Sequence, residues 1–109
     1  MKKCLSEKGY FRQAELVILH TLNKKDCYGY EIIKILEKKS DRELILKEPT
    51  LYSILKRLEK EGYITSYWGD ETNGGRRKYY SLTTEGKHHY KEMIQHWEYT
   101  KKLNDKLLK

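Results

Sequence analysis

Apolar side chains recur at three- and four-residue intervals early in the chain, where Ala14, Leu16, Val17, Ile18, Leu19 and Leu22 form one broad face. That spacing predicts a helix over residues 10–25, laid against a core. Residues 23–26 read as a turn, and Asp26 is placed to cap the segment that follows. Residues 28–40 repeat the helical pattern through Tyr30, Ile32, Ile33, Ile35 and Leu36, then run out in a polar stretch over 38–42. Leu44, Ile45 and Leu46 stand in a row, which suits an extended connector over 43–47. A third helix is predicted from Pro49, since proline at the first helical position forfeits no hydrogen bond. It runs to about Glu61 and stops at Gly62. There the period changes to two. Residues 63–68 and 76–82, rich in Tyr, Trp, Ile and Thr, predict a hairpin with a long tip over 69–75. A last helix starts at Thr83 or Thr84, whose hydroxyls are good caps, and runs close to Lys109.

Helix, helix, helix, hairpin, helix describes a mostly α fold with a small β-hairpin: a winged helix-turn-helix followed by a long C-terminal helix. Residues 1–82 are expected to form the DNA-binding unit and residues 83–109 a dimerisation helix. Fold alone is analogy, because winged helices also bind proteins or structured RNA. A protein-interaction module without operator binding is therefore the alternative reading, and an RNA binder a third.

With 109 residues the chain suits one domain rather than a two-domain enzyme. Lys and Arg outnumber the acids 23 to 16, a net charge of +7 that attracts polyanions, of which nucleic acid is the commonest in a cytoplasm. No apolar run approaches the roughly 20 residues needed to cross a bilayer, and the first residues lack the apolar stretch of a secretory signal, so a cytoplasmic location is expected. Cys4 and Cys27 have neither CxxC spacing nor a zinc cluster around them and read as reduced structural thiols. His88 and His89, and Glu92 with His96, read as a polar helix face rather than a metal site. Without a P-loop, a nucleophile elbow or a GxGxxG run, neither an enzyme nor a bound cofactor is expected.

The location of the charge narrows the choice. On the third helix Leu51, Ile54, Leu55 and Leu58 share one stripe, while Ser53, Lys56, Arg57 and Lys60 lie opposite and Thr50 and Tyr52 flank them. Short polar residues at the N-terminal end suit base edges in a major groove, and long cations further along suit phosphates. Thr50, Tyr52 and Ser53 fit the first role; Lys56, Arg57 and Lys60 fit the second. At the hairpin, Gly74 and Gly75 precede Arg76, Arg77 and Lys78, three adjacent cations whose mutual repulsion a polyphosphate partner would offset. Strand alternation sends Arg77 and Tyr79 to one face and Lys78, Tyr80 and Leu82 to the other. In the last helix Tyr90, Met93, Ile94, Trp97, Leu103, Leu107 and Leu108 trace a stripe too long for a small core to cover, so a second subunit is expected. Lys101 and Asn104 interrupt it, which argues against a continuous zipper.

The segments YGYEIIKILEK (28–38), TLYSILKRLEKEGYI (50–64), SYW (66–68) and GGRRKYYSLTTEG (74–86) closely resemble the PadR family of transcriptional regulators, in order and spacing, over nearly the whole chain. The chain is too short for the C-terminal helical domain of the family's long form and is similar to the short subgroup. The resemblance implies a homodimeric repressor of a palindromic double-stranded operator, released by a small aromatic effector. It carries DNA contact onto Thr50, Tyr52, Lys56, Arg57, Arg76, Arg77 and Lys78. It also implies an effector wall at Trp97, to which Ile94 and, from the facing side of the first helix, Leu16 and His20 are added. Lys101, one turn beyond Trp97, disfavours a cationic ligand. Pro49 stands where the family has Gly, and Ser53 where it has Pro, so the operator sequence cannot be borrowed from relatives.

Overall fold

The computed structural model describes residues 7–70 and 75–109; Cys4, Gly74 and most of the expected hairpin tip lie outside the described residues. The elements are α1 (Glu7–Lys24), β1 (Cys27–Tyr28), α2 (Gly29–Lys39), α3 (Glu48–Lys60), β2 (Ile64–Trp68), β3 (Lys78–Leu82) and α4 (Thr84–Leu107). The mostly α, winged-helix architecture is thus as the periodicity predicts.

The wing is larger than a hairpin. Its sheet has three antiparallel strands in the order β1-β3-β2, with Cys27 opposite Tyr80 and Tyr28 opposite Tyr79. A strand of two residues is too short to leave an alternation in the sequence. Its pairing also moves the helix start. The chain stays extended through Tyr28, so Tyr28 rather than Asp26 is the N-cap of α2, and its backbone N–H donates to Glu31. Asp26 instead accepts a hydrogen bond from the Tyr67 hydroxyl of β2. Strand β3 begins at Lys78, two residues later than the composition predicts.

The core gathers Ala14, Ile18, Leu19 and Leu22 of α1, Ile32, Ile33 and Leu36 of α2, and the whole predicted stripe of α3, closed below by Ile64, Tyr80 and Leu82 of the sheet. Leu46 joins it from the connector while its neighbour Ile45 stays exposed. The chain reaches that position through two consecutive left-handed residues, Asp41 (φ 52°) and Arg42 (φ 67°), a conformation costing roughly 1–2 kcal/mol per residue. The Arg42 N–H bonded to the Glu37 carbonyl at 2.7 Å and the Leu44 N–H bonded to the Ser40 hydroxyl at 2.8 Å hold the turn, and burial of Leu46 offsets its cost. Cys27 is buried in the same core, which pushes its thiol up to about 11 and keeps it protonated at neutral pH.

Helix α4 is anchored at its first turn. The Thr83 hydroxyl donates to the Gly62 carbonyl (2.6 Å) and accepts from the Gly86 N–H (3.0 Å), while the Thr83 N–H donates to the Tyr63 carbonyl (3.1 Å). Gly86 lies directly against that same carbonyl, and a Cβ there would overlap it. Beyond this anchor Tyr90 and Met93 pack on the core, and then the helix leaves it.

Candidate nucleic-acid interface

Because the leucines and isoleucine of α3 point inward, its opposite side is fixed outward: Tyr52, Ser53, Lys56, Arg57 and Lys60 are exposed and Thr50 is half-buried. Two of these side chains are already engaged. The Tyr52 ring lies over Gly29 at the start of α2, in space that any Cβ at position 29 would invade, so the glycine is what lets the tyrosine lie there. Arg57 donates to Glu15 of α1 at 2.5 Å and to Glu61, one turn further along α3, at 3.3 Å. Ser53, Lys56 and Lys60 form no salt bridge among the described residues.

The wing presents the second basic group. Arg76, Arg77 and Lys78 are all exposed, and each lies over an aromatic ring: Arg76 over Trp68 (5.8 Å to the ring centre), Arg77 over Tyr28 (4.4 Å) and Lys78 over Tyr80 (5.8 Å). The folded chain therefore holds the three cations on three separate rings. Alternation along β3 is as predicted, with Tyr80 and Leu82 in the core. On the outer face the strand register lines up Tyr28, Tyr79 and Tyr67 across all three strands. Tyr79 meets Tyr67 in a near-parallel stack (5.8 Å, 14°) and Tyr28 edge-on (5.6 Å, 78°). The hydrogen bond to Asp26 pushes the Tyr67 hydroxyl up to about 12, so it remains a donor throughout the neutral range.

A polar network that the sequence reading missed ties α4 to α3. Glu15, half-buried on α1, accepts from Arg57 with one oxygen and meets His89 of α4 with the other at 3.1 Å. The His89 ring stacks flat on Tyr63 (4.0 Å, 2°). Burial pushes the Glu15 carboxyl up, but hydrogen bonds from Arg57 and His89, with their charges, outweigh it and leave the group below its ordinary value. His89 is thus a cross-helix partner rather than part of a solvated face, whereas His88, Glu92 and His96 are exposed. No group of three His, Cys, Asp or Glu among the described residues could hold a metal ion.

Of the expected effector residues, Leu16, His20 and Ile94 are partly buried and Trp97 is half exposed. His20 Nδ1 and the Tyr90 hydroxyl share a hydrogen bond of 2.5 Å, which sets α1 beside α4. Burial and the nearby Lys39 and Lys24 hold the His20 imidazole below its ordinary value. Lys101 lies over the Trp97 ring at 5.4 Å. Further along, Tyr99, Leu103, Leu107 and Leu108 are exposed. Among the described residues no helix is long and apolar enough to cross a membrane.

This arrangement has close counterparts. A transcriptional regulator from Clostridium thermocellum is 44% identical and superposes with a TM-score of 0.83, covering 97% of this chain and 100% of its own. A PadR family transcription regulator from Clostridium difficile is also 44% identical, with a TM-score of 0.78 over 93% of this chain and 100% of that one. An uncharacterised protein of Lysinibacillus sphaericus is 39% identical over 89 residues, 82% of each chain. Residues 18–92, from the core of α1 through α3 and the wing into α4, match the transcriptional regulator PadR-like family. The chain belongs to that family of DNA-binding transcriptional regulators, and not to a class of enzymes.

Proposed function

We propose that the chain is a homodimeric repressor that binds a palindromic double-stranded operator and is released by a small aromatic effector. Residues 1–82 read the DNA and residues 83–109 pair the subunits. The observation that carries this reading is the coexistence of two outward-facing basic groups on one fold: the polar side of α3 and the ring-backed cations of the wing. Thr50, Tyr52 and Ser53 approach base edges at the N-terminal end of α3. Lys56, Arg57, Lys60, Arg76, Arg77 and Lys78 take phosphates. A two-fold pair presents two such frames to half-sites roughly 34–36 Å apart.

The exposed Trp97, Leu103 and Leu107 of α4 support pairing through that helix. Trp97, with Ile94, Leu16 and His20, lines the effector site, and a flat aromatic compound bound there shifts the population between two spacings of the recognition helices.

Footprinting on the DNA upstream of the protein's own gene tests the reading. A protected palindrome is expected, with affinity falling steeply as salt rises. The combined Arg76→Ala, Arg77→Ala and Lys78→Ala variant should lose protection. Full protection by that variant, or equal affinity for an RNA duplex of the same sequence, refutes the reading. Sedimentation of Leu103→Lys should show single chains where the unaltered protein shows pairs. Trp97→Ala should remove the response of protection to aromatic compounds.

A further inference from the structure

Resting on the reading that the wing grips DNA, we infer that Tyr28 is a positioning residue that holds the Arg77 guanidinium ready for a phosphate. Arg76 and Lys78 lie over Trp68 and Tyr80, rings supplied by the two strands of the wing hairpin itself. Arg77 lies over a ring from β1, in the turn that opens α2. Its distance of 4.4 Å to the ring centre is the shortest of the three. No carboxylate pairs with Arg77 among the described residues.

Tyr28 is well placed to hold its neighbour, because three separate contacts fix it. Its backbone pairs with Tyr79, its N–H donates to Glu31, and its ring meets the Tyr79 ring edge-on. Arg77 has a fixed backbone too, since its carbonyl accepts from the Gly69 N–H at 2.7 Å. A guanidinium is planar, with its N–H donors radiating in the plane, so a ring against its face leaves those donors free for phosphate oxygens. A long side chain already confined before binding loses less freedom when it grips a ligand. β1 thus contributes to binding through Arg77, although neither of its own two residues, Cys27 and Tyr28, is basic.

The test uses the full chain, a duplex carrying the footprinted segment, and four variants: Tyr28→Phe, Tyr28→Leu, Arg77→Ala and the Tyr28→Leu/Arg77→Ala pair. Thermal melting first confirms that each is folded. Tyr28→Phe, which keeps the ring, should bind as the unaltered protein does. Tyr28→Leu should bind about two- to five-fold more weakly per wing, the strength of an exposed cation–ring contact. Arg77→Ala should bind more weakly still and lower the slope of log affinity against log salt by about 0.9 per wing. The double variant should match Arg77→Ala. Unchanged affinity in Tyr28→Leu, or the same loss from it in the Arg77→Ala background, overturns the inference while leaving the wing reading intact. Undiminished binding by the triple wing variant instead removes the reading on which it rests. If Tyr28→Leu does not fold, Arg77→Lys replaces it, since lysine keeps the charge but not the planar face; a loss of the same size is expected, and unaltered affinity overturns the inference.

Discussion

Helices α3 and α4 both carry apolar residues at helical spacing, but only α3 completes its burial within one chain. Leu51, Ile54, Leu55 and Leu58 are all at most 2% exposed. Of the 24 residues of α4 only Gly86 is buried, and the bulky positions from Trp97 onward face outward. The difference shows how the molecule divides its tasks. The intramolecular core sets the direction of α3, whereas α4 is pinned at one end and extends about 36 Å at 1.5 Å per residue. A movement of α4 can therefore reach α3 through few points, and the Glu15 bridge between His89 and Arg57 is one of them.

The contrast can be broken most severely at Leu58. Leu58→Ala empties a fully enclosed site and should cost about 2–5 kcal/mol, enough to move the denaturant midpoint far down. Leu103→Ala, measured at concentrations low enough to keep chains single, should stay within about 0.5 kcal/mol. Equal losses in the two would erase the distinction between the helices. Next in size is the anchor itself: Gly86→Ala drives a methyl into the Tyr63 carbonyl and should cost about 1–3 kcal/mol, read from the same melts. Thr83→Ala removes the cap and its bond to Gly62, with an expected loss of about 1 kcal/mol.

The smallest effect sharpens the comparison through pH. Glu15 is held below its ordinary value of 4.5 in the folded chain. The unfolded chain therefore binds the proton first as pH falls, and stability present above about 4.5 is lost as the pH passes down through the depressed value. Glu15→Gln should flatten the decline of melting temperature between pH 6 and 3. A decline as steep as that of the unaltered chain would mean that the bridge contributes nothing to holding α4 on the frame.

The stripe of α3, its outward basic side and the cap at Thr83 were legible because each is a local pattern, repeating within a turn or two of one helix. β1 was not, because two residues carry no period. Asp26 has the right chemistry for a cap, but strand pairing at Cys27 and Tyr28 postpones the helix, and only the sheet reveals that. The partners of Arg57 and Arg77 were hidden for another reason. Glu15 lies 42 positions from Arg57, and Tyr28 belongs to a strand added on the far side of β3. Spacing shows which way a side chain points from its own helix and not what the fold brings to meet it. Glu15 and His89 left no signal at all, since an acid beside an apolar stripe and one histidine of a pair look the same as ordinary surface.

Cys27 has a practical consequence. Its sulfhydryl is sealed inside the hydrophobic interior and stays protonated at neutral pH, so an alkylating reagent meets it only when the structure around it opens. With Cys4 replaced by serine, the rate at which this one thiol is labelled becomes a clock for the opening of the protein, readable without dye or denaturant.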